Sequence, residues 1–274
     1  MSLLQSILYG LISGFSELLP VSSHAHQALM LKLFGVDARE PLRDLLVHGA
    51  VLFALYTGCK AMILRIRRER SISTRGRRGR RQVSDSTYDF RLIRSAVMPM
   101  LIVFLLYIST RNLENSMTAL ALLFTINGIA LIIPEYTRQA NKGASLMSGL
   151  DGIVMGILGG LSAFAGISRI GLMNSYALLR GADKQKAVTW AYLLSIPALA
   201  LMCVLDVVFI FTSGVGGITF LGVCGYILSA LAAYIGAYLS ITFIRFLSVR
   251  TGYTGFAYYC WGTALFAMIL YLIV

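Results

Sequence analysis

The sequence predicts an all-α polytopic membrane protein built as an inverted repeat, each half one re-entrant helix hairpin followed by three transmembrane helices. Three observations lead there. Apolar side chains make up 57% of the 274 residues and charged ones only 13%, more apolar surface than a soluble core of this length absorbs. Several apolar runs approach the roughly 20 residues that cross a bilayer. Two shorter apolar stretches, one in each half, are interrupted by polar residues at their middle.

Residues 1–274 read as a single membrane domain, with repeat 1 over about 1–136 and repeat 2 over about 149–274. The opening MSLLQSILYG has no basic n-region and no small-residue cleavage site, so it is expected to be mature structure. Apolar pieces at about 4–15 and 25–34 follow, each too short to span and separated by Pro20, which ends a helix. Irregular backbone at membrane depth is tolerated where it is buried in protein or lines a cavity, which predicts a re-entrant hairpin. Its centre, GFSELLPVSSHAH, sets Glu17, Ser22, Ser23, His24 and His26 into an apolar text, and ionisable residues at that depth mark a functional site.

Spans are expected at about 44–64, 92–110 and 117–136, with an arginine-rich loop over 65–91. After the linker TRQANKGAS comes a second interrupted stretch, GLDGIVMGILGGLSAFAGISRIGLMNSYALLRG, with Ser168 and Arg169 at its middle. Spans at about 187–211, 218–248 and 254–274 close the chain. A shift of 146 positions superposes Gly10 on Gly156, Gly14 on Gly160, Ser16 on Ser162, Ser22 on Ser168, Leu33 on Leu179 and Gly35 on Gly181. Three spans per half turn the second copy upside down, and paired broken segments in inverted halves point to a site near the midplane.

The formal net charge of +12 is concentrated in the 65–91 loop, where Arg65, Arg67, Arg68, Arg70, Arg75, Arg77, Arg78, Arg80 and Arg81 cluster. A basic loop between two spans is a cytoplasmic anchor against anionic lipid headgroups, and nucleic acid is not expected as a partner. With that loop inside, Arg138, Lys142, Arg180, Lys184, Lys186, Arg245 and Arg250 are also inside, and both termini are outside. Lys32, Arg39 and Arg43 are exceptions on the outer side. Cys59, Cys203, Cys224 and Cys260 are scattered singly and read as core residues, not as disulfide or metal ligands.

An arginine at membrane depth calls for an anion, and the planar fork of Arg169 matches a phosphate or carboxylate. Gly166, Ser168 and Gly171 around it allow close backbone approach, and a half-helix starting there turns its N-terminus toward the same anion. Glu17 from the opposite hairpin needs a proton or a divalent cation between itself and a phosphate. Ser22 or Ser23 can act as nucleophile or phosphate donor and His26 as proton shuttle or nucleophile. The alternative reading of Glu17 and Arg169 is a structural ion pair tying the two hairpins together. His48 reads as an interior histidine, Asp206 as a residue near an outer helix end, Asp151 as a helix cap, and Tyr258, Tyr259 and Trp261 as an interfacial belt.

ELLPVSSHAH resembles the first signature of the bacterial undecaprenyl-diphosphate phosphatase (bacitracin-resistance) family, and AGISRIG resembles its second, Pro-Gly-x-Ser-Arg-Ser-Gly. The resemblance extends through LLRGADKQKAVTWAYLLSIPALA. It implies a multi-pass enzyme of the bacterial inner membrane that removes the terminal phosphate of the polyprenyl diphosphate carrier, with a metal-assisted site of two re-entrant segments open to the outer face. Matched residues are Glu17, Ser22, Ser23 and His26 in the first signature and Gly166, Ser168, Arg169 and Gly171 in the second. It implies a divalent cation, Mg2+ or Ca2+, at Glu17, with a homodimer as one admissible assembly. The chain departs from the family at Ser13, where a first glutamate is expected, at His24-Ala25 in place of Thr-Gly, and at Ala165, Ile170 and Met173. His24 is a substitute ligand for the absent carboxylate. The alternative on the same fold is a transporter that moves a polyprenyl phosphate across the bilayer without hydrolysis.

Overall fold

Helix α1 (Leu3–Glu17) opens on a capping box in which Ser2 Oγ accepts the Gln5 N–H at 3.2 Å and the Gln5 side chain accepts the Ser2 N–H at 2.8 Å. It stops three residues before Pro20, and α2 (Ser23–Leu33) starts three residues after it. The computed structural model describes residues 1–36, 39–75, 85–137, 147–214, 219–250 and 252–273. Then come α3 (Pro41–Arg75), α4 (Asp85–Phe104), the short α5 (Tyr107–Thr110) running into a 3-10 turn (Arg111–Asn115), and α6 (Met117–Tyr136). The second half has α7 (Gly149–Gly160), a 3-10 turn (Leu161–Ala163), α8 (Arg169–Leu179), α9 (Lys184–Ser213), α10 (Phe220–Arg250) and α11 (Thr254–Ile273). No strand occurs among the described residues.

Six segments are long and apolar enough to cross a bilayer: Pro41–Arg65, Asp89–Asn115, Met117–Tyr136, Lys184–Ser213, Phe220–Leu247 and Thr254–Ile273. They coincide with the six expected spans to within a few residues. The four helices α1, α2, α7 and α8, of 15, 11, 12 and 11 residues, are too short to do so at about 1.5 Å per residue. Large apolar side chains such as Phe53, Leu122, Leu231 and Leu265 face outward, whereas Asn127, Ser195, Ser229 and Ser240 are fully buried. Lipid solvates the first set, and Asn127, Ser195 and Ser229 of the second find partners inside.

Helix α1 lies along α10, and α7 lies along α4; α6 pairs with α11, and α3 packs on both α9 and α10. Small residues permit the two close approaches. A Cβ on Gly10 or Gly14 would strike the backbone of Ser229 or Ala233, and one on Gly156 or Gly160 would strike α4 at Ala96 or Met100 and Val103.

Much of the expected basic loop, including Arg77, Arg78, Arg80 and Arg81, lies outside the described residues, as do Arg138 and Lys142. Arg39 and Arg43, the outer-side exceptions, are not free charges: Arg39 pairs with Glu114 at 2.8 Å and Asp44 at 3.8 Å, and Arg43 with Glu40 at 3.7 Å. Asp206 is not at a helix end. Helix α9 continues to Ser213, and the Asp206 carboxylate is buried against α3, where His48 Nδ1 meets it at 2.6 Å.

Asp151 serves as the N3 residue of the capping box that Ser148 begins, and it also accepts from Tyr176 at 2.8 Å and Arg180 at 2.7 Å. Burial pushes its carboxyl up, but the Ser148 N–H, Arg180 and Tyr176 outweigh that and hold it down at about 2. The four cysteines are free.

Candidate active site

Two broken helices meet at their polar turns. Ser22 and Ser168 hold equivalent positions, each an extended residue before the first residue of α2 or α8. Their hydroxyls are used differently. Ser168 Oγ caps its own helix, accepting the Gly171 N–H at 3.1 Å, and donates to the Leu19 carbonyl at 3.1 Å. Ser22 Oγ makes no bond to its own helix and accepts the Gly166 N–H from the other turn at 2.8 Å. Gly166 has φ +114, and a Cβ there would meet Leu123, so only glycine fits. A Cβ added at Gly171 would stand 3.1–3.3 Å from Ser168, Leu131 and the Pro20 carbonyl.

Glu17 and Arg169 join across the gap. One Glu17 oxygen accepts from Arg169 Nη2 and the other from Ser23 Oγ, both in short contact. Arg169 Nε donates to Ser195 Oγ at 3.1 Å, and Ser195 in turn donates to the Ala191 carbonyl at 2.8 Å, so the guanidinium is held on two sides. Glu17, Ser22, Ser23, His24, Ser162, Ser168 and Arg169 line a shared cavity with Val21 and Ile167. Its free volume is ≈ 20 Å³, room for about one water molecule. The N-termini of α2 and α8 open at this cavity, each placing a partial positive charge there.

His24 and His26 part company. His24 lines the cavity, its ring 5.0 Å from Tyr107 and 6.4 Å edge-on from His48. His26 does not line it: its Nε2 bonds Tyr259 Oη at 2.8 Å, its ring stacks on Tyr259, and Nδ1 lies against the Ser22 carbonyl. Ser13, one helical turn before Glu17, is buried with a hydroxyl that has no partner among the described residues.

Three supporting residues come from spans that sequence reasoning passed over. Asn127 on α6 accepts the Ser168 N–H at 2.9 Å and donates to the Pro20 carbonyl at 3.1 Å, pinning both turns. Tyr192 on α9 donates to the Leu18 carbonyl at 3.2 Å, and Ser195 holds Arg169. An asparagine in a span of mean hydropathy 2.0 was the available signal.

For a metal, the donor set is limited. Among the described residues no group of three His, Cys, Asp or Glu side chains converges. The cavity offers one carboxylate, hydroxyls and the His24 imidazole, which fits a hard cation that takes its other ligands from a bound phosphate and not a closed protein cage.

A polytopic helical membrane protein with a carboxylate, serines and an arginine gathered where two broken helices meet has the equipment of a phosphate-handling membrane enzyme. The chain belongs to the BacA family: the model described as bacitracin resistance protein BacA matches residues 6–266. It is 30% identical to an undecaprenyl-diphosphatase of Carboxydothermus hydrogenoformans over 262 residues, covering 95% of this chain and 94% of that one. It is 24% identical to an undecaprenyl-diphosphatase of Halothermothrix orenii, with 98% of each chain covered, and 27% identical to one of Methanobrevibacter smithii, with 95% of each covered.

Proposed function

We propose that this protein hydrolyses undecaprenyl diphosphate to the monophosphate and inorganic phosphate, recycling the lipid carrier of cell-wall synthesis in the bacterial inner membrane. The observation that carries this is Glu17 held between Arg169 and Ser23 in a cavity at two helix N-termini. The relatives' names and the family model support the same substrate.

In this reading the terminal phosphate takes the Arg169 fork from Glu17, and the Ser168 and Gly166 region with the two helix N-termini receives the remaining oxygens. Glu17 then accepts the Ser23 hydroxyl proton; Ser23 Oγ bonds the terminal phosphorus as the bridging P–O bond breaks, and the lipid monophosphate leaves with the electron pair. Water hydrolyses the phosphoserine, releasing phosphate and restoring Ser23. A divalent cation held by Glu17, with His24 as a weaker ligand, would supply neutralisation of the charge shared by the carboxylate and the diphosphate. His26 holds Ser22 from outside the cavity.

Two re-entrant hairpins in inverted halves complete the reading. Adding 146 to the bounds of α1 and α2 gives 149–163 and 169–179, the extent of α7 with its 3-10 turn and of α8. The reciprocal packing of α1 on α10 and α7 on α4 supports it as well. The basic loop then lies on the cytoplasmic side among anionic headgroups and the site faces outward.

The transporter alternative has one observation in its favour. A cavity of ≈ 260 Å³ lies toward the basic-loop end, lined by Met62, Gln185, Thr189 and Arg245 with Tyr192, whose hydroxyl reaches the Leu18 carbonyl beside the first cavity. Phosphate release from undecaprenyl diphosphate by the purified protein, with and without divalent cation, separates the two. Cation-stimulated release, lost in Glu17→Gln and Arg169→Ala, and a phosphoserine trapped at Ser23 are the expected results. A folded preparation that binds the lipid through Arg169 and releases nothing overturns the enzyme in favour of the transporter.

A further inference from the structure

Arg39 lies in the connection between α2 and α3, outside the cavity, and its side chain is only 7% exposed. A buried guanidinium is costly unless its charge is paired and hydrogen-bonded. Here Nη2 donates to the His24 carbonyl at 3.0 Å and Nη1 to Gln27 Oε1 at 2.8 Å, while Nε forms an ion pair with Glu114 Oε2 at 2.8 Å. Asp44, 3.8 Å from Nη1, accepts in turn from Tyr9 Oη of α1 at 2.7 Å. One side chain therefore joins α2, α3 and the 3-10 turn after α5, and through Asp44 it reaches α1.

Its bonds to α2 fall on the first turn and a half. The His24 carbonyl belongs to the residue directly after Ser23, whose hydroxyl meets Glu17, and His24 itself lines the cavity. The turn before α2 is pinned from the other side by Asn127 and Gly166, through the Pro20 carbonyl and the Ser22 hydroxyl. Arg39 is the charged group that fixes the helical side of the same corner. A helix of 11 residues beginning at such a corner can tilt about it, and a tilt moves Ser23 against Glu17.

We propose, resting on the phosphatase reading, that Arg39 is a positioning residue for the reaction: by clamping the first turn of α2 it sets the Ser23 hydroxyl and the His24 ring at the cavity. Glu114 is its counter-charge and makes no contact with the reacting groups. A displacement of about 1 Å at a reacting group costs on the order of 100-fold in rate.

The test measures kcat and KM for phosphate release from undecaprenyl diphosphate, with thermal unfolding, on the full chain carrying Arg39→Lys, Arg39→Gln or Arg39→Gln with Glu114→Gln. Arg39→Gln lowers kcat by about tenfold or more while KM moves less than about threefold. Arg39→Lys keeps the charge but lacks the fork, and falls between. The double variant removes the nearer of the two carboxylates left without Arg39, so it recovers part of the thermal stability but not kcat. If the double variant regains the wild-type kcat, or if Arg39→Gln never loses it, Arg39 is only a counter-charge and the proposal is overturned. Wild-type protein that is folded yet releases no phosphate instead overturns the phosphatase reading, and this inference with it.

Discussion

Replacing Arg169 with lysine tests the centre of the site most sharply, because it changes shape and keeps charge. The guanidinium now spends Nη2 on Glu17 and Nε on Ser195 at 3.1 Å. An ammonium retains one positive charge beside Glu17, so folding is largely preserved. Arg169→Ala would leave a carboxylate only 8% exposed with Ser23 alone, a loss of about 3–5 kcal/mol. What lysine cannot do is hold Ser195 and grip two phosphate oxygens in parallel. Losing one preorganised donor to a developing oxyanion costs roughly 2.7–4 kcal/mol, or about 100- to 1,000-fold in kcat. The assay is phosphate release at saturating and limiting undecaprenyl diphosphate, with the unfolding midpoint measured on the same preparation. A lysine variant that unfolds near the wild-type temperature and turns over within about threefold of it would refute the forked role assigned to Arg169.

Ser22→Ala leaves the Gly166 N–H without its acceptor, which lowers stability by about 1–3 kcal/mol in a denaturation series. His26→Ala is expected to lose more activity than His26→Asn, because an amide can still reach the Ser22 carbonyl; equal losses in phosphate release would point to imidazole chemistry instead. Asp151, held at about 2 and ordinarily near 3.9 in an unfolded chain, stabilises the fold above the unfolded value and loses that contribution as pH falls toward 2. Asp151→Asn should therefore flatten the unfolding midpoint against pH across that window, and a profile as steep as wild type would remove Asp151 as the cause.

The spans were legible because lipid imposes a length and a hydropathy on each of them, and both can be counted along the chain. The break between α1 and α2 was legible from Pro20 and from apolar pieces too short to cross. The nearness of Glu17 to Arg169 was reachable because each was an unexplained charge in the middle of a broken segment. Asn127, Ser195 and Tyr192 were not. Each is one polar group in a long apolar span, and its partner is a backbone or side chain on a distant element, as with Asn127 and the Pro20 carbonyl. Arg39 looked anomalous for the same reason: Glu114, its counter-charge, is 75 positions away by number. The division between the two histidines, by contrast, was available in principle. Residues two apart on a helix point to nearly opposite sides, so once α2 starts at Ser23, His24 and His26 cannot share a cavity.

The resting site is full. With ≈ 20 Å³ free, a phosphate that reaches the guanidinium in the proposed reaction parts Arg169 from Glu17 and takes the carboxylate's place. One anion replaces another on the same cation, so part of the binding energy goes to breaking a buried pair and to leaving Glu17 facing a like charge. In the proposed reaction that cost falls on binding, yet it delivers Glu17 as a free base beside Ser23 at the moment substrate arrives. Glu17→Gln removes both sides of the exchange. Without divalent cation it should bind undecaprenyl diphosphate more tightly than wild type, by about tenfold or more, equivalent to about 1.4 kcal/mol, while releasing no phosphate. Equilibrium binding of the radiolabelled lipid to the variant, against wild type with a non-hydrolysable diphosphate analogue and the same analogue on the variant, measures the difference. Weaker binding by the glutamine variant would mean that Glu17 helps hold the substrate, and that the pair with Arg169 is not the obstacle the phosphate must displace.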